Sequence, residues 1–391
     1  RWRSLIKVMA NNLKILTNVR FAQTAGIAQV VLGFLDFIEQ GKAKHVSLVA
    51  VNIMQRKKPV YRRKQGKRTV TITIGLDVPN IGEVTKQAKT LTAVEQTYEL
   101  VIRAYQRAIQ ADKPDVVLIN GTYFMTLCLL LAAEREGVRA VVHYHGVLSK
   151  EVQFWAKPQR KLLLDMERCF DRPDLRYIFP SRITKRVVEQ EVFLHAIKKS
   201  AIIANPVAPH FFEQLGEKPP SRAKKHIGIV SRWTGIKNVQ FAEQLAAYNR
   251  RKGSKFVINI ITDLKKTDKR YQKLARLMTF HTARDSKRMA HFYRRMDVMI
   301  SPSHFETYGN VSKEAVAAGT PALVNPNMGI SETFKKLGLS RWVAPFHSVE
   351  SVYQKIERTI GQPVEQSVQE EMRLRYCPEK IFGNIIAELV A

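Results

Sequence analysis

Acidic residues are scarce in this chain, with 34 against 64 lysines and arginines, a net charge of +30 over 391 residues. An excess of that size implies an anionic partner: nucleic acid, an acidic polymer, or the cytoplasmic face of a membrane. Cysteine is nearly missing. Cys128, Cys169 and Cys377 lie far apart and form no C-x-x-C pair. That pattern argues for a reducing compartment and against a disulfide framework or a structural metal. Cys128, in an apolar run, reads as a buried thiol. Long hydrophobic runs are also lacking. The longest, Thr126 to Ala133, falls far short of the roughly 20 apolar residues of a membrane span. No signal peptide is evident, and the chain starts at Arg1. A membrane contact is therefore expected to lie on the surface, which suggests a cytoplasmic protein, peripheral on the inner face of the plasma membrane. Repeats, low-complexity segments and an Asp-x-Asp motif for a metal–diphosphate are not found.

What is present is ordinary for a globular protein, with 45% apolar and 25% charged residues. The length suggests about two domains. Short apolar runs closed by glycine or proline alternate with helical periodicity. Leu13 to Arg20, His45 to Ile53, Asp115 to Asn120, Arg139 to His145 and Tyr177 to Ser181 read as strand ends of a first domain. His226 to Ser231, Lys255 to Thr262 and Asp297 to Ile300 do the same in a second. Near-continuous apolar strands in βα units predict α/β domains with parallel sheets buried on both faces. The polar Pro/Lys stretch 213–225 reads as a linker between domains 1–212 and 226–372. Residues 373–391 end in a helix.

Ligands of such sheets bind beyond the carboxyl ends of the strands. Several residues fall there. Gly26 opens the first helix, where a phosphate can approach backbone N–H groups. His145 leaves a strand, whereas His143 reads as structural. Arg232 leaves the first strand of the second domain, with Lys237 five residues on. Arg offers a planar fork and Lys a point charge, a pair suited to a diphosphate. Next comes Asp297-Val-Met-Ile-Ser-Pro-Ser-His-Phe-Glu306-Thr-Tyr308-Gly309-Asn310, a strand and its loop. Asn310 or Ser312 is expected to cap a helix that carries Glu314 and stops at Gly319-Thr-Pro. Two more stretches bear charge. Arg56 to Arg68 holds eight basic residues and no acid, a hairpin whose basic tip is either solvated or a patch for acidic lipid or an anionic acceptor. Lys150 to Phe170 reads as an amphipathic helical region with Phe154 and Trp155, suited to a membrane surface or to packing on the sheet.

The Glu-x7-Glu spacing, with Tyr308-Gly309 inside it and Gly-Thr-Pro behind, resembles the retaining family-4 glycosyltransferases of the GT-B fold. Ser231-Arg232…Lys237-Asn238 is similar to that family's Gly-Arg…Lys-Asn motif, with Ser231 where glycine is usual. Ala25-Gly26 stands where the family has Gly-Gly. The resemblance implies two Rossmann-like doubly wound domains facing a central cleft, with the C-terminal helix packing back on the first domain. It implies that Arg232 and Lys237 hold the diphosphate of a nucleotide-sugar, most commonly UDP-linked, with no metal. Glu306, Tyr308, Gly309 and Asn310 would line the donor site, Glu314 would hold the ribose, and His145 would touch the sugar. The reaction implied is same-face hexosyl transfer, the leaving phosphate helping to deprotonate the acceptor. A basic chain without a span fits a glycan, glycolipid or anionic polymer acceptor, such as a polysaccharide, lipid-linked glycan or teichoic acid, and an anionic membrane surface. A homo-oligomer is compatible, and no specific nucleic acid is expected for want of a recognisable binding motif. Rival classes are a silent GT-B partner subunit, a nucleic-acid or anionic-polymer binder, and a sugar-nucleotide epimerase.

Overall fold

The computed structural model describes residues 12–21, 26–88, 90–155, 157–213, 222–282 and 285–391. Ala25 and most of the expected linker, 214–221, lie outside the described residues. Contacts divide the chain into two compact units. One ends at Ala204 and is completed by Pro378–Ala391; the other is Asn205–Cys377. Residues 205–212, assigned to the first domain by sequence, therefore cluster with the second. The reason is local: Val207 N donates to the Tyr376 carbonyl at 2.8 Å, and Asn205 Nδ2 donates to Asn310 Oδ1 at 3.0 Å.

The first unit is built on eight strands: β1 (Leu13–Asn18), β2 (Val46–Gln55), β3 (Val60–Gln65), β4 (Thr69–Leu76), β5 (Val116–Asn120), β6 (Ala140–His143), β7 (Arg176–Phe179) and β8 (Ser200–Ile202). They form one sheet in the order β3-β4-β2-β1-β5-β6-β7-β8, parallel except for β3 against β4. The unbroken apolar runs have their cause here. Val116, Val117, Leu118 and Ile119 in β5 are all buried, as a strand covered on both faces requires. Helix Ile27–Glu39 packs on β2 and β4, and helix Glu99–Asp112 packs on the same strands. The last helix, Pro378–Val390, lies against Ile27–Glu39, with the Phe382 ring 5.3 Å from Phe34 and 5.4 Å from Phe37. Arg176–Glu388 and Lys42–Glu379 ion pairs, both 2.6 Å, fix its two ends.

Two sequence expectations need correction. The basic run is not the tip of a hairpin but its outer strand: β3 is the sheet edge, and the turn to β4 is short. Glu39 holds that turn, accepting from the backbone N of Lys67, Arg68 and Thr69 at 2.8, 3.1 and 3.1 Å and from Thr69 Oγ1 at 2.8 Å. These donors push the Glu39 carboxyl down to about 2. The region 150–170 is not one helix. Leu148–Glu151 passes through a 3-10 turn to Phe154, the backbone turns extended at Trp155, and Lys157–Arg168 starts afresh. Among the described residues no helix is long and apolar enough to cross a membrane.

The second unit holds β9 (Lys225–Val230), β10 (Phe256–Ile261), β11 (Thr279–His281), β12 (Val298–Ser301) and β13 (Ala322–Val324), all parallel, in the order β11-β10-β9-β12-β13. The chain winds outward from β9 through β10 to β11, then restarts on the other side of β9 with β12. The carboxyl ends of β9 and β12 are therefore the switch point, where an open sheet binds ligands. In the first unit the corresponding reversal lies between β1 and β5.

Candidate active site

The switch point of the second unit gathers the charges singled out in the sequence. Arg232 follows β9; it is exposed, and its guanidinium has no hydrogen-bond or ion-pair partner among the described residues. The backbone around it is fixed, because Trp233 N donates to Asp263 Oδ1 at 2.7 Å. Gly235–Lys237 is a single 3-10 turn closed by Asn238 in the left-handed region, φ 52°. It aims Lys237 at the loop after β12, where Lys237 Nζ meets Glu306 Oε1 at 3.0 Å. Ser303 Oγ donates to the same oxygen at 2.7 Å. Both contacts fall on Oε1. The Glu306 backbone pairs with Met328, and its carbonyl accepts from Gly329 N at 3.0 Å.

Gly309 sits between this loop and helix Asn310–Ala317. Its φ is 113°, and an added Cβ would lie 2.9 Å from Ile330 Cγ2 and 3.0 Å from Met328 Cε. Only glycine fits, both by angle and by space. Gly309 itself is the N-cap, so neither Asn310 nor Ser312 caps the helix as expected. Their side chains are engaged elsewhere. Ser312 Oγ pairs with Ser301 Oγ at 2.8 Å, and Asn310 Oδ1 accepts from Asn205 Nδ2 and, at 3.2 Å, from Lys313 Nζ.

The other two residues of the motif are engaged within the second unit. Tyr308 turns into the core: it is buried, and its hydroxyl is 3.0 Å from Thr333 Oγ1. What it offers the loop is its carbonyl, which accepts from Ile330 N at 2.6 Å. Glu314 is half-buried and accepts from Tyr293 Oη at 3.1 Å, and desolvation raises its carboxyl above the ordinary range. Beside it lies Lys313, which sequence reasoning missed. It is 1% exposed, its ammonium bonded to the Pro206 carbonyl and Asn310 Oδ1 and 5.5 Å from the Tyr308 ring centre. Desolvation lowers it to about 8. An i, i+3 spacing from Asn310 was visible in the sequence; burial of a lysine was not.

In the first unit, Gly26 precedes helix Ile27–Glu39 with φ 63°, an exposed position with open space around a would-be Cβ. His145 follows β6, with Nε2 3.0 Å from Asn120 Oδ1 at the end of β5. Its ring lies 4.0 Å from that of His143. Burial, then the neighbouring His143, hold His145 well below the ordinary imidazole range, and burial alone takes His143 to about 3. Behind them stands Glu167, also missed by sequence. It is fully buried and accepts from Leu148 N at 3.0 Å, Ser149 N at 3.1 Å and Thr122 Oγ1 at 3.3 Å. One carboxylate thus ties the loop after β5 to the loop after His145. Among the described residues, no group of three or more His, Cys, Asp or Glu side chains is placed to hold a metal ion.

Two family models cover consecutive stretches of this chain: Glycosyltransferase Family 4 matches residues 90–211, and Glycosyl transferases group 1 matches residues 212–375. Glycosyltransferase models thus match residues 90–375, and the chain is a glycosyltransferase. The fold of this glycosyltransferase is GT-B, and the donor of such enzymes is a nucleotide sugar. A sucrose-phosphate synthase from Thermosynechococcus elongatus superposes with a TM-score of 0.73 at 13% identity, covering 96% of this chain and 98% of that one. A trehalose-6-phosphate structure from E. coli bound with UDP-2-fluoro glucose gives 0.67 at 14% identity, covering 96% and 99%. An alpha,alpha-trehalose-phosphate synthase (UDP-forming) from Burkholderia xenovorans in complex with glucose-6-phosphate gives 0.66 at 14%, covering 97% and 100%. No curated protein sequence matches significantly.

Proposed function

We propose that this glycosyltransferase moves a hexosyl unit, with retention, from a uridine-diphosphate sugar to a hydroxyl of an anionic or membrane-associated glycan. The observation that carries the reading is the meeting of Lys237 and Glu306 at 3.0 Å on the switch point, with Arg232 exposed beside them. A sugar–diphosphate bond breaks readily only if the departing charge is stabilised in place. Arg232 and Lys237 supply that charge. Glu306 then releases Lys237 to the diphosphate and accepts from the sugar hydroxyls. Glu314 accepts from the ribose, and the Gly309–Asn310 turn lines the donor. The C1–O bond to phosphate breaks, and the acceptor oxygen bonds to C1 on the same face. The acceptor's proton passes to the leaving phosphate oxygen, so no protein nucleophile is required.

The acceptor side rests on charge. On β3, Arg62 and Lys64 are exposed, and Tyr61 between Val60 and Arg62 is 64% exposed. Arg63 is tied down by two 2.7 Å bonds to Asp112. This edge, with the exposed Phe154 and Trp155 beside Lys157, suits an anionic polymer or lipid face. A second reading, a soluble sugar phosphate as acceptor, draws on the glucose-6-phosphate complex of the Burkholderia protein. Transfer of labelled hexose from UDP-sugars to anionic glycolipid and to glucose-6-phosphate, with NMR of the product anomer, tests both. Product of retained configuration on the glycolipid supports the first reading. Product on the sugar phosphate alone replaces it with the second, and an inverted anomer overturns the mechanism.

A further inference from the structure

Helix Ser286–Arg294 and helix Asn310–Ala317, both in the second unit, pack on each other. Tyr293, near the end of the first, joins them twice. Its hydroxyl donates to Glu314 Oε2 at 3.1 Å. Its carbonyl accepts, at 2.7 Å, from Oγ1 of Thr320, just beyond the second helix. The ring is 1% exposed, its centre 6.0 Å from that of Phe211 and 6.1 Å from that of Phe292. Backbone and ring are thus fixed, and only the hydroxyl hydrogen is left to turn.

The cation next to Glu314 in the chain does not hold its carboxylate. The Lys313 ammonium is bonded instead to the Pro206 carbonyl and to Asn310 Oδ1, the latter at 3.2 Å. Among the described residues Tyr293 is the one side chain hydrogen-bonded to Glu314, and Oε1 has neither a hydrogen bond nor an ion pair. An ionised carboxylate only accepts, so the tyrosine proton lies on this bond. A donor carried by a buried, fixed ring selects one setting of the carboxylate, with Oε2 toward Tyr293 and Oε1 away from it. Glu314 is half-buried, so part of it still faces solvent.

We infer that Tyr293 is a positioning residue that holds Glu314 by one oxygen and presents the other to the ribose of the donor nucleotide. The inference rests on the proposed contact of Glu314 with the ribose. A loose carboxylate has to be ordered when the nucleotide binds; one that is already held accepts from a ribose hydroxyl without that loss of freedom. Ordering a single side chain in advance is worth up to about tenfold in affinity.

Calorimetric titration of the full chain with UDP and with dideoxyuridine diphosphate, which lacks both ribose hydroxyls, tests it. The wild type is expected to prefer UDP. Tyr293→Phe is expected to bind UDP about tenfold more weakly and the dideoxy analogue as the wild type does. Adding Tyr293→Phe to Glu314→Ala should weaken UDP no further. Equal weakening of both ligands by Tyr293→Phe, the result of a merely structural role, overturns the inference. So does unchanged affinity for UDP, or additive losses in the double variant. A wild type that fails to bind UDP or binds the two ligands equally, or a Glu314→Ala protein of wild-type affinity, overturns the ribose contact and the inference with it. Where Tyr293→Phe does not fold, a crystal structure of the wild type with UDP decides. Tyr293 on one Glu314 oxygen and a ribose hydroxyl on the other supports the inference, and a carboxylate that has left Tyr293 overturns it.

Discussion

Glu306 and Lys237 meet in the free protein, so in the proposed reading donor binding exchanges their ion pair for contacts with the ligand. Both are half-buried, and such a pair contributes only modestly to stability, roughly 0–1 kcal/mol near a surface. Its value lies in preorganisation. Arg232→Ala and Lys237→Ala are each expected to lower kcat/KM by about a hundredfold or more with little change in melting temperature. Arg232→Lys should not restore the loss, because a point charge cannot reproduce the guanidinium fork. Steady-state kinetics on the three variants decides it; full activity in Arg232→Lys would show that charge alone suffices. Glu167 makes a different prediction. Burial raises its carboxyl from 4.5 to about 7. Between those values the folded chain keeps a proton that the unfolded chain has released. Its contribution to stability is therefore present below about pH 4.5 and lost as pH rises through 7. The difference in urea-unfolding free energy, wild type minus Glu167→Gln, should fall across that window, and a flat difference contradicts the assignment. Neither Glu167 nor Tyr293 stood out in the sequence. Each acts through a partner more than 15 residues away, at positions 148 and 314, and spacing along a chain carries no such pairing.

At the level of elements, the strand–loop–helix unit 298–317 was legible almost residue by residue. Its cause is local: an apolar run closed by Ser-Pro-Ser, then a glycine where the angle permits nothing else. Gly309→Ala is expected to destabilise the second unit by about 1–3 kcal/mol for the backbone angle alone, with further loss from the contact with Ile330. Urea unfolding measures it, and an unchanged midpoint would mean that the turn relaxes. What the motif did not reveal is side-chain direction. Tyr308 turns inward because Thr333, on the following helix, offers its hydroxyl a partner. The hairpin shows the same limit. Composition located the basic run, but edge position is a property of the sheet, since β3 becomes an edge only when β4 pairs with β2. The break at Tyr98, between helices Leu91–Thr97 and Glu99–Asp112, carries no proline or glycine, and periodicity passes straight over it; the break at Trp155 is marked only by Pro158, the second residue of the helix that restarts at Lys157.

The whole molecule divides where the sequence could not show it. The Pro/Lys-rich stretch drew the boundary to 213, yet the chain joins the second unit at Asn205, because Pro206 and Val207 are bonded to Lys313 and Tyr376. The last helix completes the first unit. Phe382→Ala, which empties the space against Phe34 and Phe37, should cost about 3–5 kcal/mol there. Calorimetry should show one transition lowered; two unchanged transitions would deny the helix that role. The +30 charge predicts that binding to anionic vesicles weakens steeply as salt is raised, and that Arg62→Glu with Lys64→Glu weakens it further. The central claim, a nucleotide-sugar site at the β9/β12 switch point, is tested most directly by thermal shift with UDP-, GDP- and ADP-sugars. A ligand at a hundredfold its dissociation constant stabilises the fold by about 2.7 kcal/mol. The account predicts a raised melting temperature with UDP-sugars, lost in Arg232→Ala and Glu314→Ala. No shift with any donor, or a shift that survives both substitutions, would contradict it.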